Sequence, residues 1–598
     1  MDMTVNGLLT AYRTQQLTPD AVIDQLLARC AEYNELNIWI RRLTREELEP
    51  YLHNLRQHAP ASLPLYGIPF AIKDNIDLAG IPTTAACEAF TYTPQQSAFV
   101  VQRLIDAGAI PIGKTNLDQF ATGLVGTRSP WGACRNAFNH EFISGGSSSG
   151  SAVATALGLV SFALGTDTAG SGRVPASFNN IVGVKPTRGI VSISGVVPAC
   201  RSLDCVSLFA RTTDDANLIL EHMAVFDPAD TYARPNPFAN TQRQYGLPKG
   251  NFLFGVPAAA QLEFFGDTAA RALFAASISK LEALGGIKTD IDFTPFMSAA
   301  QLLYDGPWLA ERFIATEAII TQQPEAMLPV THSIISKAKS KTAVDTFKAE
   351  YSISAYRRQA EQILATVDFI VTPTAGTIFT IKQVEQDPVA LNTQLGYYTN
   401  FMNLLDCAAI AVPAGFLANG LPWGITLFST AFEDRKLLSY ANRWQQALNL
   451  PLGATQQSLA TSNNSAISFS NYIPVVVCGA HLDGLALNWQ LRERGAVFGE
   501  KTTTSANYRM YALPGGPPQR PGLIRDEQHG STIEVEVWNI PSEEFGSFVA
   551  GIPAPLGIGK LELSDGRWLP GFICEGHALA NADEITELGG WRHYVAKR

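Results

Sequence analysis

The 598-residue sequence has few cysteines and histidines, and neither type is spaced as a metal site requires. None of its eight cysteines forms a C-x-x-C pair, and its nine histidines are scattered, with no H-E-x-x-H motif. We therefore expect no metal and no cofactor. Sparse, unpaired cysteines are also typical of reduced thiols, so the sequence predicts a cytoplasmic protein.

Clustered positive charge and long apolar runs are also missing. The net charge is −10 and the isoelectric point is near 5.5, which argues against nucleic-acid and anionic-membrane partners. The longest apolar stretch, residues 152–165, is too short to span a bilayer and is interrupted by Thr155 and Ser161. Residues 1–6 show no basic segment leading into an apolar one, so we expect no secretory signal.

The chain is longer than one hydrophobic core usually serves, and its patterning predicts two domains. Short apolar runs alternate with helical periodicity over residues 1–455, which is typical of an α/β domain. Residues 456–472 are polar and predict a linker, and residues 473–598 predict a small α+β domain. The helices predicted most clearly cover residues 18–30, 97–104 and 268–284, and the strands cover 69–72, 109–112, 369–371, 408–412, 473–478 and 532–538.

Two glycine-rich serine segments and an upstream lysine form the clearest candidate for a catalytic site. The segments are residues 145–151 (GGSSSGS) and 167–173 (DTAGSGR), and Lys73 follows an apolar run. A serine attacks only when a base takes its proton, and a lysine can be that base only when it is neutral. Burial at the end of a strand favours the neutral amine. We expect Ser171 to be the nucleophile and Ser147 to relay its proton to Lys73.

The small residues before Ser171 suggest how a tetrahedral intermediate is stabilised. The backbone N–H groups of Thr168, Ala169, Gly170 and Ser171 are predicted to form an oxyanion hole, because their side chains leave the turn open.

Together these motifs resemble the amidase-signature family, which uses a Lys–Ser–Ser triad whose middle serine follows a cis peptide. The resemblance covers most of residues 10–450. It implies a central mixed β-sheet covered by helices. Many relatives have a second glycine and an isoleucine in the nucleophile loop, where this chain has Ala169 and Gly172. That variant, together with residues 195–205 (GVVPACRSLDC), is similar to the allophanate hydrolases of the family.

This resemblance implies a small anionic substrate, allophanate, and a segment that binds its carboxylate. Residues 303–312 (LYDGPWLAER) match that segment, with Arg312 as a cationic fork and Tyr304 as a hydrogen-bond donor. Without the resemblance, a surface arginine at a helix end is the simpler explanation. The implied reaction gives ammonia and N-carboxycarbamate, and then carbon dioxide and a second ammonia. A metabolic link to urea carboxylase and a homodimer are also expected.

The second predicted domain contains one candidate residue, His481, in the segment 478–482 (CGAHL) that follows its first strand. The domain resembles the C-terminal domain of allophanate hydrolases, which is similar in fold to γ-glutamylcyclotransferases. That resemblance implies that His481 helps to decarboxylate N-carboxycarbamate. No acidic residue matches the cyclotransferase catalytic glutamate. A purely structural histidine is the alternative.

Two motif matches and two rival functions are weighed against this interpretation. Residues 108–115 (GAIPIGKT) satisfy the Walker A expression but are predicted to form a strand. Residues 146–150 (GSSSG) satisfy G-x-S-x-G, which would make Ser148 the nucleophile, with His222 or His332 as its base. A broader amidase or a glutamine-hydrolysing amidotransferase subunit of the same family is the main functional alternative. Two non-enzymatic binding modules are the other.

Overall fold

The computed structural model describes residues 1–246, 250–459 and 472–597. These residues form two compact units, one drawn from residues 1–236, 245–246 and 250–459 and the other from residues 237–244 and 472–597. The predicted linker, residues 456–472, lies mostly outside the described residues, so the domain boundaries stay a prediction. Within the described ranges, no helix has both the length and the apolarity needed to cross a membrane.

The first unit is an α/β structure. Its helices are α1 (Val5–Arg13), α2 (Pro19–Glu32), α3 (Arg45–Arg56), α4 (Phe99–Asp106), α5 (Ser149–Ala156), α6 (Val174–Phe178), α7 (Thr213–Met223), α8 (Thr268–Ala283), α9 (Thr294–Asp305), α10 (Leu309–Gln322), α11 (Pro329–Ser336), α12 (Ala343–Leu364), α13 (Ile381–Gln386), α14 (Ala390–Leu395) and α15 (Asp434–Leu448). Its strands are β1 (Trp39–Arg42), β2 (Pro69–Lys73), β3 (Ile110–Thr115), β4 (Phe162–Asp167), β5 (Val182–Lys185), β6 (Cys205–Ala210), β7 (Phe252–Pro257), β8 (Gly286–Ile291), β9 (Phe369–Pro373), β10 (Cys407–Phe416) and β11 (Pro422–Thr430).

These strands form one mixed sheet in the order β1-β3-β2-β4-β6-β5-β10-β11-β9-β7-β8. Strand β2 pairs in parallel with both β3 and β4, whereas β4 pairs antiparallel with β6. The predicted mixed sheet covered by helices is therefore confirmed. Because β2 and β4 are parallel neighbours, their C-terminal ends, Lys73 and Asp167, lie at the same edge of the sheet.

The local signals in the sequence account for several of these helices. Thr18 caps α2 by accepting a hydrogen bond from the Ala21 N–H, and Pro19 occupies its first turn. Helix α8 begins after the cap Asp267 and is followed by Gly285, whose φ of +91° is easily adopted only by glycine. Their apolar faces pack into the core of the unit.

The second unit is an α+β structure, as predicted. Its elements are β12 (Tyr472–Val477), α16 (Asn488–Glu493), β13 (Val497–Thr503), β14 (Tyr508–Ala512), β15 (Pro521–Arg525), β16 (Glu534–Pro541), α17 (Ser542–Ala550), β17 (Leu556–Glu562), β18 (Trp568–Cys574), β19 (Asp583–Glu584) and α18 (Trp591–Ala596). Five strands form a sheet in the order β13-β16-β12-β18-β17, and β15-β14-β19 form a smaller one. The strand β12 lies at the centre of the larger sheet, which has its own apolar core.

Candidate active site

Lys73, at the C-terminal end of β2, is fully buried and makes two hydrogen bonds to hydroxyl groups. Its Nζ lies 2.8 Å from Ser147 Oγ and 2.7 Å from Thr166 Oγ1. The peptide bond between Gly146 and Ser147 is cis. Burial lowers the pKa of Lys73 to about 7, against the opposing effect of nearby carboxylates. An amine with that pKa is available as a base near neutral pH.

A second buried lysine, Lys114 on the adjacent strand β3, shows what Lys73 lacks. Lys114 Nζ lies 2.9 Å from Asp74 Oδ1 and donates to Thr83 Oγ1. In the described part of the chain, no carboxylate oxygen lies within 4.0 Å of Lys73 Nζ. Lys114 is also the lysine of the Walker A match, and that segment forms β3 from residue 110 onward, as predicted. The amine of Lys114 is therefore held by contacts with Asp74 and Thr83 in the core.

Ser171 contacts the same loop as Ser147. The Ser171 Oγ makes a long hydrogen bond of 3.5 Å to the carbonyl oxygen of Gly123, and the Asp118 N–H donates to the carbonyl oxygen of Ser147 at 3.1 Å. Asp118 also orders the loop, because its carboxylate accepts backbone N–H groups from residues 125, 126 and 128. Both serines are buried and are positioned against residues 118–128.

A buried ion pair fixes the loop that carries Ser171. The Asp167 carboxylate pairs with the guanidinium of Arg173 at 2.9 Å, and both side chains are fully buried. The same carboxylate accepts the backbone N–H groups of Gly170 and Gly172, at 2.9 and 3.0 Å. Glycine is required at position 170, because φ is +133° and a Cβ atom would lie 2.4 Å from Thr399 Oγ1.

This geometry corrects one member of the predicted oxyanion hole. The Gly170 N–H already donates to Asp167, so it is not free to bind an oxyanion. The N–H groups of Thr168, Ala169 and Ser171 have no acceptor among the described residues and stay candidates.

The residues predicted to bind the substrate carboxylate lie together. Arg312 is 2% exposed, so the alternative of a surface arginine is wrong. Its Nη1 donates to the carbonyl oxygen of Ala121 and to Thr122 Oγ1, at 3.3 and 3.1 Å, while its Nη2 is buried and has no hydrogen-bond partner in the described ranges. The guanidinium carbon lies 5.6 Å from the centre of the Tyr304 ring. Residues 121–123 therefore connect Arg312 to the carbonyl that Ser171 contacts, and a buried N–H without a partner suits an anionic ligand.

The alternative nucleophile, Ser148, is engaged elsewhere. Its Oγ is buried and donates to the carbonyl oxygen of Thr166 at 3.1 Å. The two histidines considered as its base lie on other helices, His222 on α7 and His332 on α11. The ring of His332 lies 3.5 Å from Ser336 Oγ. No contact between described residues supports a Ser–His arrangement at Ser148.

His481, in the second unit, lines a small cavity of about 70 Å³. Its Nε2 lies 3.0 Å from Gln490 Oε1, and its ring stacks on Phe572 with centroids 5.0 Å apart. Burial lowers its pKa, which favours the neutral ring. The histidine is thus held in place by packing and one hydrogen bond, and it is also open to a cavity.

Sequence reasoning missed three residues that shape the first site. Thr166 is the second hydroxyl bonded to Lys73, and its position five residues before Ser171 was the available signal. Asp118 orders the loop beneath both serines. Asp204 accepts a hydrogen bond from the Thr168 hydroxyl, and burial raises its pKa to about 6. The partners of Asp118 and Asp204 are set by tertiary contacts that no local pattern encodes.

Comparison with known proteins agrees with this architecture. An amidase family model matches residues 21–438, and a model of the allophanate hydrolase C-terminal domain matches residues 473–596. The selenomethionine-substituted allophanate hydrolase of Kluyveromyces lactis is 39% identical, with a TM-score of 0.77, and the match covers 99% of each chain.

Two curated relatives differ in how much of their own length is matched. Urea amidolyase of Saccharomyces cerevisiae is 44% identical over 576 residues, which are 93% of this chain and 31% of that protein, so this chain spans about a third of that relative. One subunit of the glutamyl-tRNA(Gln) amidotransferase of a Synechococcus strain is 33% identical over 65% of this chain and 84% of its own. The chain therefore belongs to the amidase family, and its C-terminal part matches the C-terminal domain of allophanate hydrolases.

Proposed function

We propose that the chain hydrolyses allophanate to ammonia and N-carboxycarbamate, which then gives carbon dioxide and a second ammonia. The observation that carries this proposal is the buried Arg312, whose Nη2 lacks a hydrogen-bond partner among the described residues and lies beside the loop that Ser171 contacts. A neutral amide gives such a cation nothing to pair with, whereas allophanate carries a carboxylate. The likeness to an allophanate hydrolase along the whole chain supports the same substrate.

In the proposed mechanism, Lys73, Ser147 and Ser171 act as a triad. Neutral Lys73 takes a proton from Ser147 over 2.8 Å, and Ser147 takes one from Ser171 as that serine attacks the ureido carbonyl. An N–H of the amine donates to Thr166 Oγ1 at 2.7 Å, and the lone pair of the neutral amine is proposed to accept the proton of Ser147. The protonated lysine then returns its proton to the departing ammonia, and water opens the acyl-enzyme by the same relay.

The charge that develops on the carbonyl oxygen is proposed to be stabilised by backbone donors. The N–H groups of Thr168, Ala169 and Ser171 need no reorganisation, because Asp167 and Arg173 already hold the loop. Arg312 and Tyr304 would bind the substrate carboxylate while the chemistry occurs at the other end of the molecule. The second step is proposed to occur in the C-terminal domain, where His481 transfers the proton that is added to the nitrogen of N-carboxycarbamate.

The source of the substrate, the cellular compartment and the oligomeric state are part of the same proposal. The chain resembles urea amidolyases over nearly its whole length, so a urea carboxylase is the proposed source of allophanate. We also propose a cytoplasmic homodimer with domains at residues 1–455 and 473–598. Light scattering of the purified chain tests the dimer, and a monomeric mass would contradict it.

The function is tested by measuring ammonia release from allophanate, glutamine and acetamide by the purified chain. We expect two ammonia molecules per allophanate, with no requirement for ATP, and little release from the other two substrates. A preference for glutamine would favour the glutamine-hydrolysing alternative, and equal rates on acetamide would favour a broad amidase. An acylating reagent should modify Ser171, and an unmodified serine would favour a binding module.

A further inference from the structure

The cavity beside His481 is lined by residues that suit an anion. Among its described lining residues, Arg520 carries the only permanent charge, and none is an aspartate or a glutamate. The Arg520 Nε is buried and has no hydrogen-bond partner in the described part of the chain. A buried N–H donor without an acceptor is rare in proteins unless a ligand or water completes it.

Backbone N–H groups around the cavity add further hydrogen-bond donors that have no acceptor among the described residues. Residues 479–481 also line the cavity, and their N–H groups have no acceptor among the residues that the structure describes. Consecutive backbone N–H groups that converge on a cavity are a common way to bind an anion. The described lining therefore offers backbone N–H groups and a guanidinium but no opposing carboxylate.

The size of the cavity limits what it can hold. A cavity needs about 10–15 Å³ to hold one water molecule, so a cavity of about 70 Å³ has room for a small molecule. N-carboxycarbamate has about seven non-hydrogen atoms, and two of its groups are carboxylates.

We propose that Arg520 binds and selects the small dicarboxylate in this cavity by pairing with one of its carboxylate groups. The inference rests on the proposed second step and assigns that step its charge-binding residue. The bond from nitrogen to the other carboxylate breaks, its electron pair stays on nitrogen as a proton is added there, and carbon dioxide leaves. The carboxylate held by Arg520 remains on the carbamate product, so the arginine keeps that product beside His481.

Binding is tested with malonate, a stable dicarboxylate of the same size, and the full chain labelled with [¹³Cε1]histidine. The His481 signal is assigned as the one missing from His481→Gln. We expect malonate to shift this signal in the wild type, and Arg520→Gln to raise the apparent Kd at least tenfold. Neutral malonamide should cause no shift.

Arg567→Gln is the matched control. Arg567 lies in the same unit and bonds to the carboxylates of Asp565 and Glu500, but it does not line the cavity. We expect this variant to bind malonate as the wild type does. An equal loss in both variants, or wild-type binding by Arg520→Gln, would overturn the proposal.

Arg520→Lys keeps the charge without the planar fork and serves if the glutamine variant does not fold. Its malonate affinity should lie at least threefold below that of the wild type, and an unchanged affinity would mean that the guanidinium is not engaged. With [¹³C]allophanate, Arg520→Gln should release the first ammonia at the wild-type rate and accumulate N-carboxycarbamate. If the wild type releases no ammonia from allophanate, the proposed function fails, while the malonate titration still decides the role of Arg520.

Discussion

At the scale of single residues, the contrast between Lys73 and Lys114 explains why one amine can act as a base. Both are fully buried on adjacent strands, but of the two only Lys114 lies beside a carboxylate of the described residues. Desolvation without a close counter-charge favours the neutral form of Lys73, whereas Lys114 forms a salt bridge with Asp74. A buried lysine that is not paired lowers stability near neutral pH, which suggests that its position serves chemistry.

The charge state of Lys73 predicts a pH-dependent effect on stability. Its pKa is about 7 in the folded state and near 10.5 in the unfolded chain, so between these values the unfolded chain binds the extra proton. The free energy of unfolding should therefore rise with pH from about 7 to 10.5. Lys73→Met removes this dependence, and its stability relative to the wild type should be greater at pH 7 than at pH 9 by more than about 1 kcal/mol.

Urea unfolding at the two pH values measures this difference. The hydroxyls of Ser147 and Thr166 lose their partner in Lys73→Met at either pH, so that cost cancels in the comparison. If the difference in unfolding free energy between Lys73→Met and the wild type is the same at both pH values, Lys73 is charged in the folded protein.

Arg312→Ala should separate anion recognition from catalysis. Removing the guanidinium leaves the substrate carboxylate without its partner, so KM for allophanate should rise about 100-fold or more. This rise corresponds to a loss of roughly 3 kcal/mol of binding free energy. Hydrolysis of a neutral amide should change less than about threefold. Steady-state kinetics on both substrates provides the test, and equal losses would mean that Arg312 supports the fold instead.

The catalytic roles of Lys73, Ser147 and Ser171 stay predictions, but a local pattern of glycines and an apolar strand pointed to all three, and the structure places Lys73 Nζ 2.8 Å from Ser147 Oγ. Residue types did not point to Thr166, and they did not exclude Gly170 from the oxyanion hole. Both depend on the direction of a hydrogen bond, which the backbone conformation decides.

At the scale of elements, the loop between β4 and α6 depends on the pair formed by Asp167 and Arg173. Arg173→Met would leave the Asp167 carboxylate buried and unpaired, which we expect to lower the free energy of unfolding by about 3–5 kcal/mol and to reduce kcat. Arg358→Met is the control, because Arg358 and its partner Glu361 are both exposed and their pair should contribute about 0–1 kcal/mol. Denaturant unfolding of both variants checks this, and similar losses would contradict it.

Periodicity and capping predicted helices such as α2 and α8 within a few residues. The order of the strands in the sheet was not predictable in the same way. That β2 lies between β3 and β4 follows from pairing between residues about 40 and 90 positions apart, and it is this pairing that places Lys73 beside Thr166.

At the scale of the whole molecule, the two units have separate apolar cores. Among the described residues, the buried clusters of the first unit contain none beyond position 454, and the cluster of the second begins at Ile473. Deleting residues 473–598 should therefore leave the first ammonia release within about twofold of the wild type while slowing decarboxylation. Time-resolved assays of ammonia and carbon dioxide measure the two steps. If both rates are unchanged, the second domain has no chemical role.

The most direct test of the central claim, that neutral Lys73 drives the two serines, is kcat/KM for allophanate between pH 5 and 9. With the pKa of Lys73 near 7, wild-type kcat/KM should rise about tenfold per pH unit below 7 and level off above it. Lys73→Ala should lose about 10³-fold at pH 8. Wild-type turnover by Lys73→Ala, with activity abolished instead by replacing His222 or His332, would contradict the account.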